Sequence, residues 1–231
     1  VPGKGLRTLM LEAKYARTVL AETDVLNWGS QLADALTYLH RQDPPILHRD
    51  IKPSNLKLTP SGLVKLVDFG LVKLLAPGEV TITVLQGQGT ALYTPLEQYG
   101  GDSGHTEARS DIYAFGSTLY HLLTNQPPAD ARDRFLDPDT LIPPRQINPG
   151  ISVRTEKAIM WAMSLHPDDR PQTVEMFRES LLGSYQPVPR MPVRPGSSIT
   201  HYIYTDPERA LILVSAGLTL LSLIVTLAQF P

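Results

Sequence analysis

Apolar residues recur at helical spacing in several stretches of the chain. After Thr23, Val25, Leu32, Ala33, Leu36 and Leu39 share one face, which predicts an amphipathic helix beginning near that threonine. Ile112, Phe115, Leu119 and Leu122 predict a second, largely buried helix. Residues 154–165 and 171–182 predict two more, the last ending near Gly183. Residues 56–67 behave differently. They alternate around Pro60-Ser61-Gly62, as two short strands joined by a turn should. The predicted class is mainly α with a small β-hairpin.

The pattern changes after residue 183. Residues 184–208 hold Pro187, Pro189, Pro192, Pro195 and Pro207 with Gly196, Ser197 and Ser198, which predicts an extended linker. Residues 210–228 carry no charge and come close to the roughly 20 residues a helix needs to cross a bilayer. A buried core helix is the other reading, but so long an uncharged run is unusual in a soluble domain. Ser and Thr within the run can bond back to helix carbonyls. Arg190, Arg194 and Arg209 precede it and no basic residue follows, so the preceding part is expected on the cytoplasmic side of a single-pass protein. The expected organisation is a folded unit over 1–183, a Pro-rich juxtamembrane linker over 184–208 and one transmembrane helix within 209–231.

Composition narrows this little. The chain has 231 residues, 42% hydrophobic, with a net charge of −2. That suits a globular domain with additions and gives no argument for nucleic-acid binding. There is no cysteine, which excludes disulfides and zinc–thiolate sites. The chain starts at Val1 with no signal-peptide pattern.

The candidate chemistry is concentrated in His48-Arg49-Asp50-Ile51-Lys52-Pro53-Ser54-Asn55 and, beyond the hairpin, in Asp68-Phe69-Gly70. Asp50 can accept a proton from a hydroxyl. Lys52 can hold a transferring phosphoryl oxygen. Asn55 and Asp68 offer the hard oxygen ligands that Mg²⁺ takes. This is the equipment of phosphoryl transfer, where a protein mostly positions groups and neutralises charge. Asp-Phe-Gly alone would say little, and polar residues often merely cap turns. Two motifs in this order, joined by a hairpin, say much more.

Together they resemble the protein kinases, whose catalytic loop reads H-R-D-x-K-x-x-N before D-F-G. The resemblance implies that Asp50 is the catalytic base and Lys52 the contact to the γ-phosphate, favouring serine/threonine over tyrosine acceptors. It implies that Asn55 and Asp68 bind Mg²⁺. His48, Phe69 and Gly70 belong to the same motifs. Arg49 beside Asp50 is the arrangement of kinases switched by activation-loop phosphorylation. Lys57 stands where the family usually has an apolar floor beneath adenine. Its stem could still cover the ring, or nucleotide binding is weakened.

The likeness continues downstream. Gly89-Thr90 through Glu97-Gln98-Tyr99 resembles the end of an activation segment, with Pro95-Leu96-Glu97 in place of A-P-E. Thr90 resembles the threonine that bonds Asp50 and Lys52. Arg170 is expected as the buried partner of Glu97, and Asp111 as the anchor of the catalytic-loop backbone, all three as architecture. Thr81, Thr83 and Thr90 are candidate phosphosites whose phosphate could pair with Arg49; for each one, an ordinary loop residue is the simpler reading.

The resemblance covers about residues 1–183 and implies the helical C-terminal lobe of a kinase. Only residues 1–47 precede His48, and Gly3-Lys4-Gly5 lacks the setting of a phosphate loop. The expectation is a fragment without the N-terminal lobe that clamps the ATP phosphates, and hence no appreciable transfer by this chain alone. The implied function is a membrane-tethered serine/threonine protein kinase, similar to bacterial receptor-like kinases. It would use ATP and Mg²⁺ on protein Ser/Thr hydroxyls, with the bilayer as a partner through residues 210–228; a dimer is left open. The alternative is a non-catalytic, kinase-like binding scaffold at the membrane.

Overall fold

The structure, a computed structural model, describes residues 3–69, 73–74, 91–99 and 107–183. Gly3 has φ of 143°, and a Cβ there would lie 2.7 Å from the Leu58 carbonyl oxygen, so a side chain would be both strained and obstructed. This close approach lets β1 (Lys4–Gly5) pair with a later strand before helix α1 (Leu6–Tyr15) begins.

Helix α2 (Glu22–His40) buries Val25, Leu32, Ala33 and Leu36, the apolar face predicted from spacing. Its start differs from the expectation. Ala21 is the N-cap and Thr23 already lies in the first turn, where Glu22 and Asp24 supply negative charge against the helix dipole. The chain then passes through β2 (Ile46–Leu47) into the catalytic-loop motif.

The predicted hairpin is present as β3 (Leu56–Leu58) and β4 (Val64–Leu66), with Leu56 opposite Leu66 and Lys57 opposite Lys65. Gly62, at φ 79°, makes its turn. The α2 residue Gln31 clamps the turn, donating to Gly62 O at 3.2 Å and accepting from Val64 N at 2.8 Å. The antiparallel order is β1-β3-β4, and β2 pairs separately with β5 (Lys73–Leu74).

Helix α3 (Ala108–Thr124) runs through the core, with Ile112, Phe115, Leu119 and Leu122 each at most 1% exposed. It ends in Asn125 in the left-handed region. Two short helices that periodicity did not predict follow, α4 (Ala131–Leu136) and α5 (Pro144–Ile147). Four residues and a single buried proline leave too little period to read in α5.

Helices α6 (Val153–Ala162) and α7 (Val174–Leu182) are shorter than the 154–165 and 171–182 expected. Each is fixed by a side-chain cap, Ser152 accepting from Thr155 N and Thr173 accepting from Met176 N. Phe115 of α3 meets Phe177 of α7 edge to face, with centroids 5.0 Å apart. Gly116 lets α6 come close to α3, since a Cβ there would lie 2.9 Å from Ala162 Cβ.

The linker 184–208 and the membrane helix expected within 209–231 lie outside the described residues. Among the described residues no helix is long and apolar enough to cross a membrane.

Candidate active site

Helix α3 fixes the loop at two levels. Asp111, 1% exposed, accepts from the backbone N–H of His48 at 2.9 Å and of Arg49 at 2.8 Å. Its Oδ2 also lies 2.8 Å from His40 Nε2. Two turns along, Thr118 Oγ1 donates to Ile51 O at 3.2 Å. The loop backbone between these anchors is bent, with Arg49 at φ 67°.

Asp50 sits between the two anchors and is 7% exposed. Its Oδ2 accepts from Asn55 Nδ2 at 2.8 Å, and Lys52 Nζ lies 2.8 Å from its Oδ1. Asn55 Nδ2 also donates to Asp50 O at 2.9 Å. The Pro53–Asn55 turn enforces this proximity by returning the chain onto the loop. The carboxylate therefore has a fixed orientation, which a base needs before its basicity matters.

The hairpin brings Asp68 back to Asn55. Val67 N donates to Asn55 O at 2.9 Å, so the next residue emerges beside the loop. Asp68 is exposed and has φ 66°, a conformation rare for a side chain that is not glycine. The Phe69 ring meets His48 edge to face at 5.1 Å. Burial pushes the His48 imidazole below its usual range, against the opposing pull of Asp111, Asp50 and Asp68. Gly70 and Thr90 lie outside the described residues.

Asn55 and Asp68 fit a Mg²⁺ ion that keeps phosphate and water oxygens as its other ligands. With Nδ2 committed to Asp50, the Asn55 amide oxygen accepts a long hydrogen bond from Ser54 Oγ at 3.4 Å and keeps a second lone pair to offer, and Asp68 brings a carboxylate. Among the described residues no group of three or more His, Cys, Asp or Glu gathers as a metal site. Lys57 is half-buried on β3 between Gly5 and Lys65.

Away from the loop, Glu97 and Arg170 form the expected pair, at 2.6 and 3.0 Å. Ser110 Oγ adds a hydrogen bond to Glu97 at 2.8 Å, and the guanidinium lies over the Tyr113 ring at 4.9 Å.

Sequence reasoning did not reach His40, Thr118 or the pair Tyr93–His121, in which Tyr93 OH lies 2.6 Å from His121 Nδ1. His40 and Thr118 belong to no motif and meet the loop only once α2 and α3 pack. Tyr93 stands two residues before Pro95-Leu96-Glu97, and that was the one available signal.

The profile of the protein kinase domain matches residues 3–181. Serine/threonine-protein kinase PknB of Mycobacterium leprae is 33% identical over 189 residues, covering 79% of this chain and 28% of that protein. A probable serine/threonine-protein kinase of Clostridium acetobutylicum is 32% identical over 188 residues, covering 78% of this chain and 27% of its own length. The chain thus spans under a third of the curated relatives it matches. Among solved structures, the apo form of PpkA-294 superposes with a TM-score of 0.61 at 25% identity, covering 78% of this chain and 60% of that one.

Proposed function

The chain belongs to the protein kinase domain family, a family of transferases, and from that premise we propose that it carries the catalytic half of a site that, completed by an N-terminal lobe, transfers the γ-phosphate of ATP to Ser/Thr hydroxyls of proteins. The observation that carries the proposal is the double hold on Asp50, by Asn55 at Oδ2 and Lys52 at Oδ1, on a loop fixed from Asp111. ATP with Mg²⁺, when bound, supplies the phosphoryl group and neutralises its charge. Asp50 orients the acceptor hydroxyl and takes its proton at a carboxylate oxygen. Lys52 lies close enough to turn its ammonium to the transferring phosphoryl oxygens. Asn55 and Asp68 would hold the metal. His48, Phe69 and Asp111 keep these groups in register. A phosphate on the segment containing Thr81, Thr83 and Thr90 would find Arg49, whose Nε has no partner among the described residues.

In the same proposal, residues 210–228 tether the protein to a bilayer, with residues 1–183 on the cytoplasmic side. Its support is the uncharged run and the arginines before it. Retention in the membrane pellet after alkaline carbonate washing, lost on deletion of 210–228, is the expected result.

The test of the chemistry is transfer from labelled ATP to protein substrates by the full-length gene product that carries this chain. Asp50→Asn should abolish it. A non-catalytic binding scaffold is the second reading, and half-buried Lys57 opposite Lys65, on the strand that floors the nucleotide in this family, is the observation favouring it. Absence of both ATP binding and transfer would establish that reading instead.

A further inference from the structure

Helix α1 is stitched to the C-terminal end of α3. With its amide oriented to satisfy both neighbours, Asn125 donates to Met10 O at 3.3 Å and accepts from Lys14 N at 3.2 Å. The Asn125 N–H in turn donates to His121 O at 2.9 Å. Arg7, Met10 and Lys14 follow one another at helical spacing on one side of α1. Met10 is buried, whereas Arg7 and Lys14 are exposed at its edges. The positive fields of both reach His121, and that of Arg7 reaches Tyr93. Lys4, on the strand before α1, is already paired with Glu12. Among the described residues no carboxylate pairs with Arg7 or Lys14.

This cluster adjoins the proposed site. Thr118, which holds Ile51 of the catalytic loop, stands one turn before His121 on the same face of α3. Tyr93, hydrogen-bonded to His121, leads into the Leu96–Tyr99 turn that closes the activation segment. The helix that carries Arg7 packs on the Pro53–Asn55 turn just after Asp50. Two cations near a half-buried histidine disfavour its protonated form, an arrangement a bound anion would relieve.

We propose that Arg7 and Lys14, set against the Tyr93–His121 pair, form a subsite for an acidic side chain of the protein substrate, a few residues from the acceptor hydroxyl. The identity of the ligand rests on the kinase reading; the cationic subsite does not. Arg7 and Lys14 supply the charge. His121 and Tyr93 are positioning residues: the neutral imidazole and the phenol hold the end of the activation segment without adding charge.

The test uses fluorescein-labelled serine peptides that differ only in Glu, Ala or Lys flanking the serine, titrated against the purified chain. The Glu peptide should bind roughly tenfold tighter than the Lys peptide, as expected for two ion pairs gained against two repulsions. The preference should shrink as salt is raised. Arg7→Glu/Lys14→Glu should reverse the order; both side chains are exposed, and an unchanged circular dichroism spectrum reports that the variant is folded. Equal binding of the three peptides, or a preference unmoved by the double variant, overturns the subsite. The full-length product is then assayed for transfer to the same peptides. Acid-selective binding with no transfer to any peptide supports the subsite and sinks the kinase reading. Transfer indifferent to flanking charge does the reverse.

Discussion

Arg170 reaches Glu97 with both terminal nitrogens, at 2.6 and 3.0 Å, and gives its remaining donors to the carbonyls of Ser164, Leu165 and Arg109. All five N–H groups of a guanidinium are thereby used, on a side chain with no exposure. The pair joins the end of the activation segment to the turn before α7. Arg170→Ala should cost about 3–5 kcal/mol, because Glu97 is left partly buried without its partner. Arg170→Lys should recover little, since an ammonium cannot reproduce the fork. Urea denaturation of the three proteins checks both statements.

The contacts of Asp111 separate positioning from chemistry. Among the described residues its side-chain hydrogen bonds go to backbone N–H groups of the loop and to His40. Asp111→Ala should lower the transfer rate about 10²-fold through misplacement of Asp50 without changing the Mg²⁺ concentration needed for half-maximal activity. Asn55→Ala should both lower the rate and raise that Mg²⁺ requirement. Identical Mg²⁺ profiles for the two variants would remove Asn55 from the metal site.

His121 makes stability depend on pH. Burial first, and then Lys14 and Arg7, push its imidazole from 6.5 down to about 4. Between those values the unfolded chain binds a proton that the folded one refuses. Stability is therefore complete above about pH 6.5 and is lost as pH falls toward 4. The loss should be on the order of 1–2 kcal/mol, the full shift being discounted because solvent reaches part of the ring. His48, held low by burial, acts in the same direction. Unfolding measured at pH 7, 6 and 5 should show the slope, and His121→Gln should flatten it.

Lys57 and Lys65 face each other across β3 and β4. Like charges in that position destabilise a sheet, so Lys57→Leu should add a few tenths of a kcal/mol, up to about 1. If β3 floors the nucleotide site, the same change should tighten ATP binding severalfold. Weaker ATP binding in the variant would show instead that the ammonium contacts the ligand.

Gly116 has less room than its helical setting suggests. A Cβ would meet Ala162 Cβ at 2.9 Å and Met163 Cγ at 3.1 Å. Gly116→Val should cost about 1–3 kcal/mol by overpacking, although glycine is itself a poor helix former. Thermal unfolding gives the sign directly.

The grouping of the candidate site was legible because its residues lie close along the chain. His48 through Asn55 and Asp68 are joined by a hairpin whose alternation and Gly62 turn are local signals. The apolar face of α2 and the buried stretch of α3 were legible from period alone. What stayed hidden depends on distant segments meeting. The pairing of β1 with β3 needs Gly3 to touch Leu58, and nothing within Gly3-Lys4-Gly5 announces a strand. Helix α6 stops early, and the carbonyls of Ser164 and Leu165 just beyond its end serve Arg170 instead. The partners His40 and Thr118 become visible only when α2 and α3 deliver them to the loop.

Arg49 and Asp68, on either side of Asp50, both adopt left-handed backbone angles, φ 67° and φ 66°. Such conformations cost on the order of 1–3 kcal/mol each at residues other than glycine. A search for heat-resistant variants would therefore be drawn to these two positions, where glycine relaxes the chain. Every such gain would remove a side chain the proposed chemistry uses. Robustness and the proposed chemistry pull apart at these two residues, and the sequence keeps both side chains.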